Sequence, residues 1–141
     1  KEFKTFFHGH TYTANPLGCA AAIANLEIFV RESLLEKMQP RIAYLRKSLT
    51  DDFLALAHVS DIRQWGYMIG IELAEGKAKR KSYPVERRMG HKVILEARKR
   101  GVMIRPLGDV IVLMAPLNIG DGDLDILLDT VHDSIRAVTG S

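Results

Sequence analysis

A lone cysteine, Cys19, stands in 141 residues, so no internal disulfide can form and a reducing compartment suits the chain. No apolar run approaches the length that a bilayer demands, and nothing resembles a signal peptide. Metal-ligand spacing is missing as well: His8 and His10 stand two apart, with no third ligand at a fitting distance in sequence. Aromatic residues make up only 7%, so the basic cluster Lys77, Lys79, Arg80 and Lys81 has no stacking platform beside it. It reads as a solvated loop, not a nucleic-acid surface. A nucleophile elbow, paired carboxylates, a Walker loop, internal repeats and low-complexity segments are all absent. The expectation is a cytoplasmic protein with neither membrane nor nucleic acid as partner.

What is present is ordinary for a globular chain: 47% hydrophobic residues, 26% charged residues and a net charge of +3. The length suits one domain with a sizeable core. The chain opens on Lys-Glu-Phe-Lys-Thr-Phe-Phe without an initiator methionine. The expectation is that it belongs to something larger.

The organising stretch is Phe6-Phe7-His8-Gly9-His10-Thr11-Tyr12-Thr13-Ala14-Asn15-Pro16-Leu17-Gly18-Cys19-Ala20. A polar, glycine-bearing loop feeds straight into a helix of small and apolar residues. Asn15 is a good N-cap, and Pro16 suits the first helical position, where its missing N–H costs nothing. Across residues 17–30 almost every side chain is apolar, which predicts a buried helix. A loop offering hydroxyls, imidazole and bare backbone N–H groups at the mouth of such a helix can hold an anion. An ordinary capped surface loop satisfies the same spacing.

Further along, residues 32–36 mark a break. Ile42, Leu45, Leu49, Phe53 and Leu56 then define an amphipathic helix starting or kinking at Pro40 and ending at 58–60. Tyr67, Ile69, Ile71 and Leu73 alternate as a strand with one buried face, and Gly66 suggests a bulge or close approach at its start. Glu72 falls on the solvated face. Trp65 and Tyr67 suit either a pocket wall or core packing. Pro84 opens a helix with Met89, Val93, Ile94 and Ala97 on one face, closed by Gly101. Val102-Met103-Ile104 reads as a strand, residues 105–109 as a turn, and 110–114 as the returning strand. The acids of Gly120-Asp121-Gly122-Asp123 open a last helix whose core face is Leu124, Leu127 or Leu128, Val131, Ile135 and Val138. The predicted class is α/β (α+β), with a small three- to four-stranded sheet, antiparallel or mixed, and helices packed on one face.

Arg105 is the second residue to single out. Pro106 forces it into an extended conformation, so its planar fork can be held rigidly toward a carboxylate. A plain ion pair with Asp109 fits the spacing too.

The run from His8 to Ala22, with His10-Thr11-Tyr12-Thr13-Ala14-Asn15-Pro16-Leu17-Gly18-Cys19 at its heart, resembles the class III aminotransferases, which depend on pyridoxal 5'-phosphate. Asp61-Ile62-Arg63-Gln64, Met68-Ile69-Gly70-Ile71-Glu72-Leu73 and Gly101-Val102-Met103-Ile104-Arg105-Pro106-Leu107-Gly108-Asp109 are similar to the biotin-pathway branch of that family. The likeness implies a fold-type I transferase, with residues 1–141 as its C-terminal small domain. Residues 1–16 would form a loop that crosses a homodimer interface, residues 17–141 the helices and small sheet. It implies that Thr11, with His10 beside it, holds the cofactor phosphate, that Gly9 lies against a small-molecule substrate, and that Arg105 grips the carboxylate of an amino-oxononanoate. Many members carry proline at the position of His10, so that contact, where it is carried by backbone, should survive the difference. The lysine that binds the cofactor covalently and the acid that pairs with its ring nitrogen have no match here. No catalytic residue is therefore assigned to this chain, and by itself it is expected to be inactive. Two other readings fit less of the sequence: another class III enzyme using an ω-amino donor such as 4-aminobutyrate or ornithine, and a non-catalytic α/β binding module.

Overall fold

The computed structural model describes residues 9, 13–76 and 81–140. His10 and Thr11 lie outside the described residues, as do Lys77, Lys79 and Arg80 of the basic cluster. The chain divides into two compact units, Lys1–Glu36 and Lys37–Ser141.

In the first unit, helix α1 covers Pro16–Arg31. Its start follows the expected chemistry: Asn15 Oδ1 accepts the Leu17 N–H at 3.0 Å, and Pro16 occupies the first turn. Ser33, at φ 47°, breaks the chain before helix α2, Leu34–Ser48. The prediction of a buried α1 is corrected. None of its residues is buried, and Leu17 and Val30 are each more than four-fifths exposed. Apolar composition states that a helix needs cover; it does not state which surface supplies it.

The second unit is built on a four-stranded antiparallel sheet in the order β1-β2-β4-β3. Strands β1 (Val59–Trp65) and β2 (Met68–Leu73) form one hairpin, and β3 (Arg105–Leu107) and β4 (Val110–Met114) form the other. Each turns on two residues, the first a glycine at φ 60°, Gly66 or Gly108. The hairpins join through β2 and β4, with Ile69 opposite Leu113 and Ile71 opposite Ile111. Those four side chains are buried and define the inner face. Helix α3 (Met89–Lys99) lies against β3 and β4, and helix α4 (Asp121–Thr139) lies against α3. Val93, Ile94 and Ala97 of α3 and Leu124, Leu128, Val131 and Ile135 of α4 are buried in the core where the two helices pack, as their periodicity predicts. Leu45, Leu49 and Phe53 close it from α2 and the π-helical turn Leu49–Phe53. Burying each of the larger of these side chains contributes about 1.5–3 kcal/mol.

Several boundaries differ from expectation. Strand β1 was not predicted, because Asp61, Arg63 and Gln64 break the apolar alternation; it is an edge strand whose bulge falls between Val59 and Asp61, not at Gly66. The Gln64 amide is satisfied there by the carbonyl oxygens of Ile42 and Gly66. Gly66 makes no close approach and serves only the turn. Helix α2 starts at Leu34 and carries Pro40 inside it, at the loss of one backbone hydrogen bond. Pro84 precedes a short 3-10 turn, Val85–Arg87, and α3 begins after it. Finally, β3 is Arg105–Leu107, not residues 102–104, since the two-residue turn at Gly108 pairs Leu107 directly with Val110.

Candidate functional site

The register across the sheet places Arg63, Gly70, Val112 and Arg105 opposite one another, one from each strand. With Ile69, Ile71, Ile111 and Leu113 turned inward, this row belongs to the outer face, because side chains alternate along a strand. Its two arginines differ sharply. Arg63 donates to Glu72 at 2.8 Å and to Asp61 at 2.9 Å, and the Glu72 hydrogen bond pushes its pKa further up. Glu72 is thus half-buried and paired, not simply solvated. Arg105 is exposed and, among the described residues, makes no ion pair or side-chain hydrogen bond. The Asp109 partner that its spacing allowed is engaged elsewhere: Asp109 Oδ1 accepts the Gly90 N–H at 2.9 Å.

Arg105 borders a cavity of about 530 Å³ whose lining includes Met103, Leu107, Val112, Met114 and Pro116. Apart from the arginine the lining is aliphatic or thioether. A planar, permanently charged fork, unpaired among the described residues and beside an apolar groove, suits a ligand with a carboxylate at one end and methylene groups behind it. A second cavity, about 510 Å³, mixes Arg88 and His91 with Glu72 and Asp109, so its charges select no one sign of ion. Neither Trp65 nor Tyr67 walls the first groove: Tyr67 is core, and Trp65 stands 85% exposed beside Met68.

Gly9 belongs to the first unit and is exposed, with nothing within 4 Å of where a Cβ would stand. The described end of that loop holds Ala14 at φ 58°, a left-handed conformation that costs an alanine about 1–2 kcal/mol. The donor chemistry of the stretch, with the Gly9 backbone, the His10 imidazole and the Thr11 hydroxyl, fits a phosphate group. Sequence reasoning missed the groove. Its one signal was methionine at two exposed positions, Met103 before β3 and Met114 at the end of β4, where polar residues are usual.

Comparison with known proteins agrees with this architecture. The family model for class III aminotransferases matches residues 1–135. The chain belongs to the class III aminotransferases. It is 53% identical over 138 residues to the adenosylmethionine-8-amino-7-oxononanoate aminotransferase of Nitratidesulfovibrio vulgaris, covering 98% of this chain and 25% of that protein. The protein of the same name from Aquifex aeolicus is 48% identical over 135 residues, covering 96% of this chain and 30% of the relative. Among solved structures, the adenosylmethionine-8-amino-7-oxononanoate aminotransferase of Methanocaldococcus jannaschii superposes with a TM-score of 0.87 at 39% identity, over 96% of this chain and 31% of that one. The chain therefore spans roughly a quarter to a third of the length of these relatives.

Proposed function

We propose that this chain is the C-terminal small domain of a cytoplasmic, homodimeric aminotransferase of biotin biosynthesis. The intact enzyme would move the amino group of S-adenosylmethionine to 8-amino-7-oxononanoate, giving 7,8-diaminononanoate. The single observation that carries the substrate assignment is Arg105, unpaired among the described residues and set beside an apolar groove. An amino-oxononanoate has the matching form, a carboxylate followed by a run of methylenes. The names of the relatives support the same reading.

Pyridoxal 5'-phosphate supplies the electron sink for amino-group exchange, while the protein orients and excludes water. In this chain Thr11 and His10 would hold the phosphate bound at the partner subunit's site, across the dimer interface, and Gly9 would leave room there for the reacting end of the substrate. At the chain's own site Arg105 would fix the far end of a second substrate molecule, so that its ketone is presented at a constant distance from the grip. The lysine and acid that complete the cofactor site have no counterpart among these residues, so the chain alone is expected to be inactive.

The test uses the full-length enzyme carrying this chain, loaded with pyridoxal phosphate and mixed with S-adenosylmethionine alone. A shift of the cofactor absorption to that of its aminated form supports the reading. No shift, with an ω-amino acid such as 4-aminobutyrate producing it instead, keeps the family and discards the substrate.

A further inference from the structure

We infer that Asp109 and Gly90 are positioning residues for Arg105, holding its short strand in the one pose in which it can receive a carboxylate; this rests on the substrate role proposed for Arg105. Strand β3 has three residues, lies at the sheet edge and pairs only with β4. Its middle residue, Pro106, has no N–H to offer. So short a strand draws its orientation from the turn that ends it.

That turn is anchored twice by Asp109. Its backbone oxygen accepts the Leu73 N–H at 3.0 Å, tying the turn to β2, and its Oδ1 accepts the Gly90 N–H at 2.9 Å, tying it to the first turn of α3. Helix α3 lacks a cap of its own. Arg88, at its N-cap position, is left-handed at φ 47° and makes no side-chain capping bond. The Asp109 carboxylate supplies that bond from the hairpin, where the helix dipole favours a negative charge.

Gly90 makes the approach possible. A Cβ there would stand 2.3 Å from the Gly108 oxygen, 3.1 Å from Asp109 Cα and 3.2 Å from Pro106 Cβ. Any side chain at Gly90 pushes on the turn backbone at Gly108 and Asp109 and on the ring of Pro106, the residue next to Arg105. The contact thus couples the seating of a helix to the aim of a ligand-binding arginine four residues away.

The experiment compares wild type, Arg105→Ala, Asp109→Ala, Asp109→Asn and Gly90→Ala in the full-length, pyridoxal-phosphate-loaded enzyme. The readouts are KM for 8-amino-7-oxononanoate, KM for its methyl ester, and the rate of the half-reaction with S-adenosylmethionine. Asp109→Ala is expected to raise KM for the free acid about tenfold to a hundredfold, the scale of a misplacement near 1 Å. Its KM for the ester and its donor half-reaction should stay within about twofold of wild type. Asp109→Asn keeps an oxygen acceptor and should restore most of the affinity. Gly90→Ala, where it folds, should show the same split. If Arg105→Ala raises KM for the acid and Asp109→Ala does not, the positioning role is wrong. Equal losses with acid, ester and donor would reduce Asp109 to a structural cap and overturn it as well. If Arg105→Ala itself leaves KM for the acid unchanged, the substrate role of Arg105 fails first and takes this inference with it.

Discussion

Helices α1 and α4 make opposite use of apolar residues. Helix α1 is apolar on nearly every side, yet no residue in it is buried. Helix α4 carries five aspartates and still buries Leu124, Leu128, Val131 and Ile135 completely or nearly so. The difference is pattern against quantity. A stripe at helical spacing can be matched by another stripe in the same chain, as α4 is by α3, whereas an all-round apolar surface asks for cover on every side. Hydrophobicity reports that burial is needed, and periodicity reports where it can be met.

The largest expected effect is on stability. Leu128→Ala or Phe53→Ala should lower the unfolding free energy of the chain by about 2–5 kcal/mol in a denaturant melt, through lost burial and a cavity. Leu26→Ala on α1 should cost no more than about 0.5 kcal/mol, since that side chain is 64% exposed. Similar losses at the two helices would break the contrast.

Next comes Arg105→Ala, which removes a charged hydrogen-bonding fork from the outer face of the sheet. In the full-length enzyme it should weaken amino-oxononanoate binding by about tenfold to a hundredfold, the scale of one or two charge-assisted hydrogen bonds. The midpoint of unfolding should stay where it is. A stability loss comparable to Leu128→Ala would move Arg105 from the binding groove to the structural side of the comparison.

A smaller effect sharpens the account of α1. Ile23→Gln with Val30→Gln should reduce the fluorescence of an apolar-surface dye and any mass growth in light scattering by the isolated chain. A clean monomer with no dye binding before substitution would contradict the view that this surface needs cover.

The smallest effect is electrostatic. Lys99 first, then Arg100, hold the Glu96 carboxyl below the usual carboxylate range, and Lys81 followed by Arg87 does the same for Glu75. A depressed folded pKa means a contribution present above the ordinary carboxylate pKa and lost as pH falls through the folded value. Both groups sit at the surface, so solvent screens them. Glu96→Gln should flatten the acid limb of a stability-versus-pH curve slightly, and the same substitution should change nothing at high salt.

Much of the fold can be read directly from local chemistry. Asn15 and Pro16 start α1, Gly101 ends α3, and the apolar spacing of α3, α4 and β2 assigns their inner faces, because caps and periodicity act within a few residues. Strand β1 escaped because an edge strand tolerates Asp61, Arg63 and Gln64, whose partners lie on other elements. The shift of β3 by three residues escaped for a related reason. Val102-Met103-Ile104 has the higher strand propensity, but the two-residue turn at Gly108 sets the register for Arg105-Pro106-Leu107.

From its neighbours alone Arg105 was legible as either a carboxylate clamp or an ion-pair partner of Asp109, and the family was legible in the loop that leads into α1. Whether Arg105 was free to bind anything was not. Sequence by itself determined which residues could cap, turn, alternate or carry charge, since those are properties of near neighbours. Only the tertiary structure decided that Asp109 goes to Gly90 and Asp61 and Glu72 to Arg63, leaving Arg105 unpaired among the described residues beside an apolar groove. Competition for a partner is settled by distance in space, and the pairs that form here join residues up to nineteen apart in the chain.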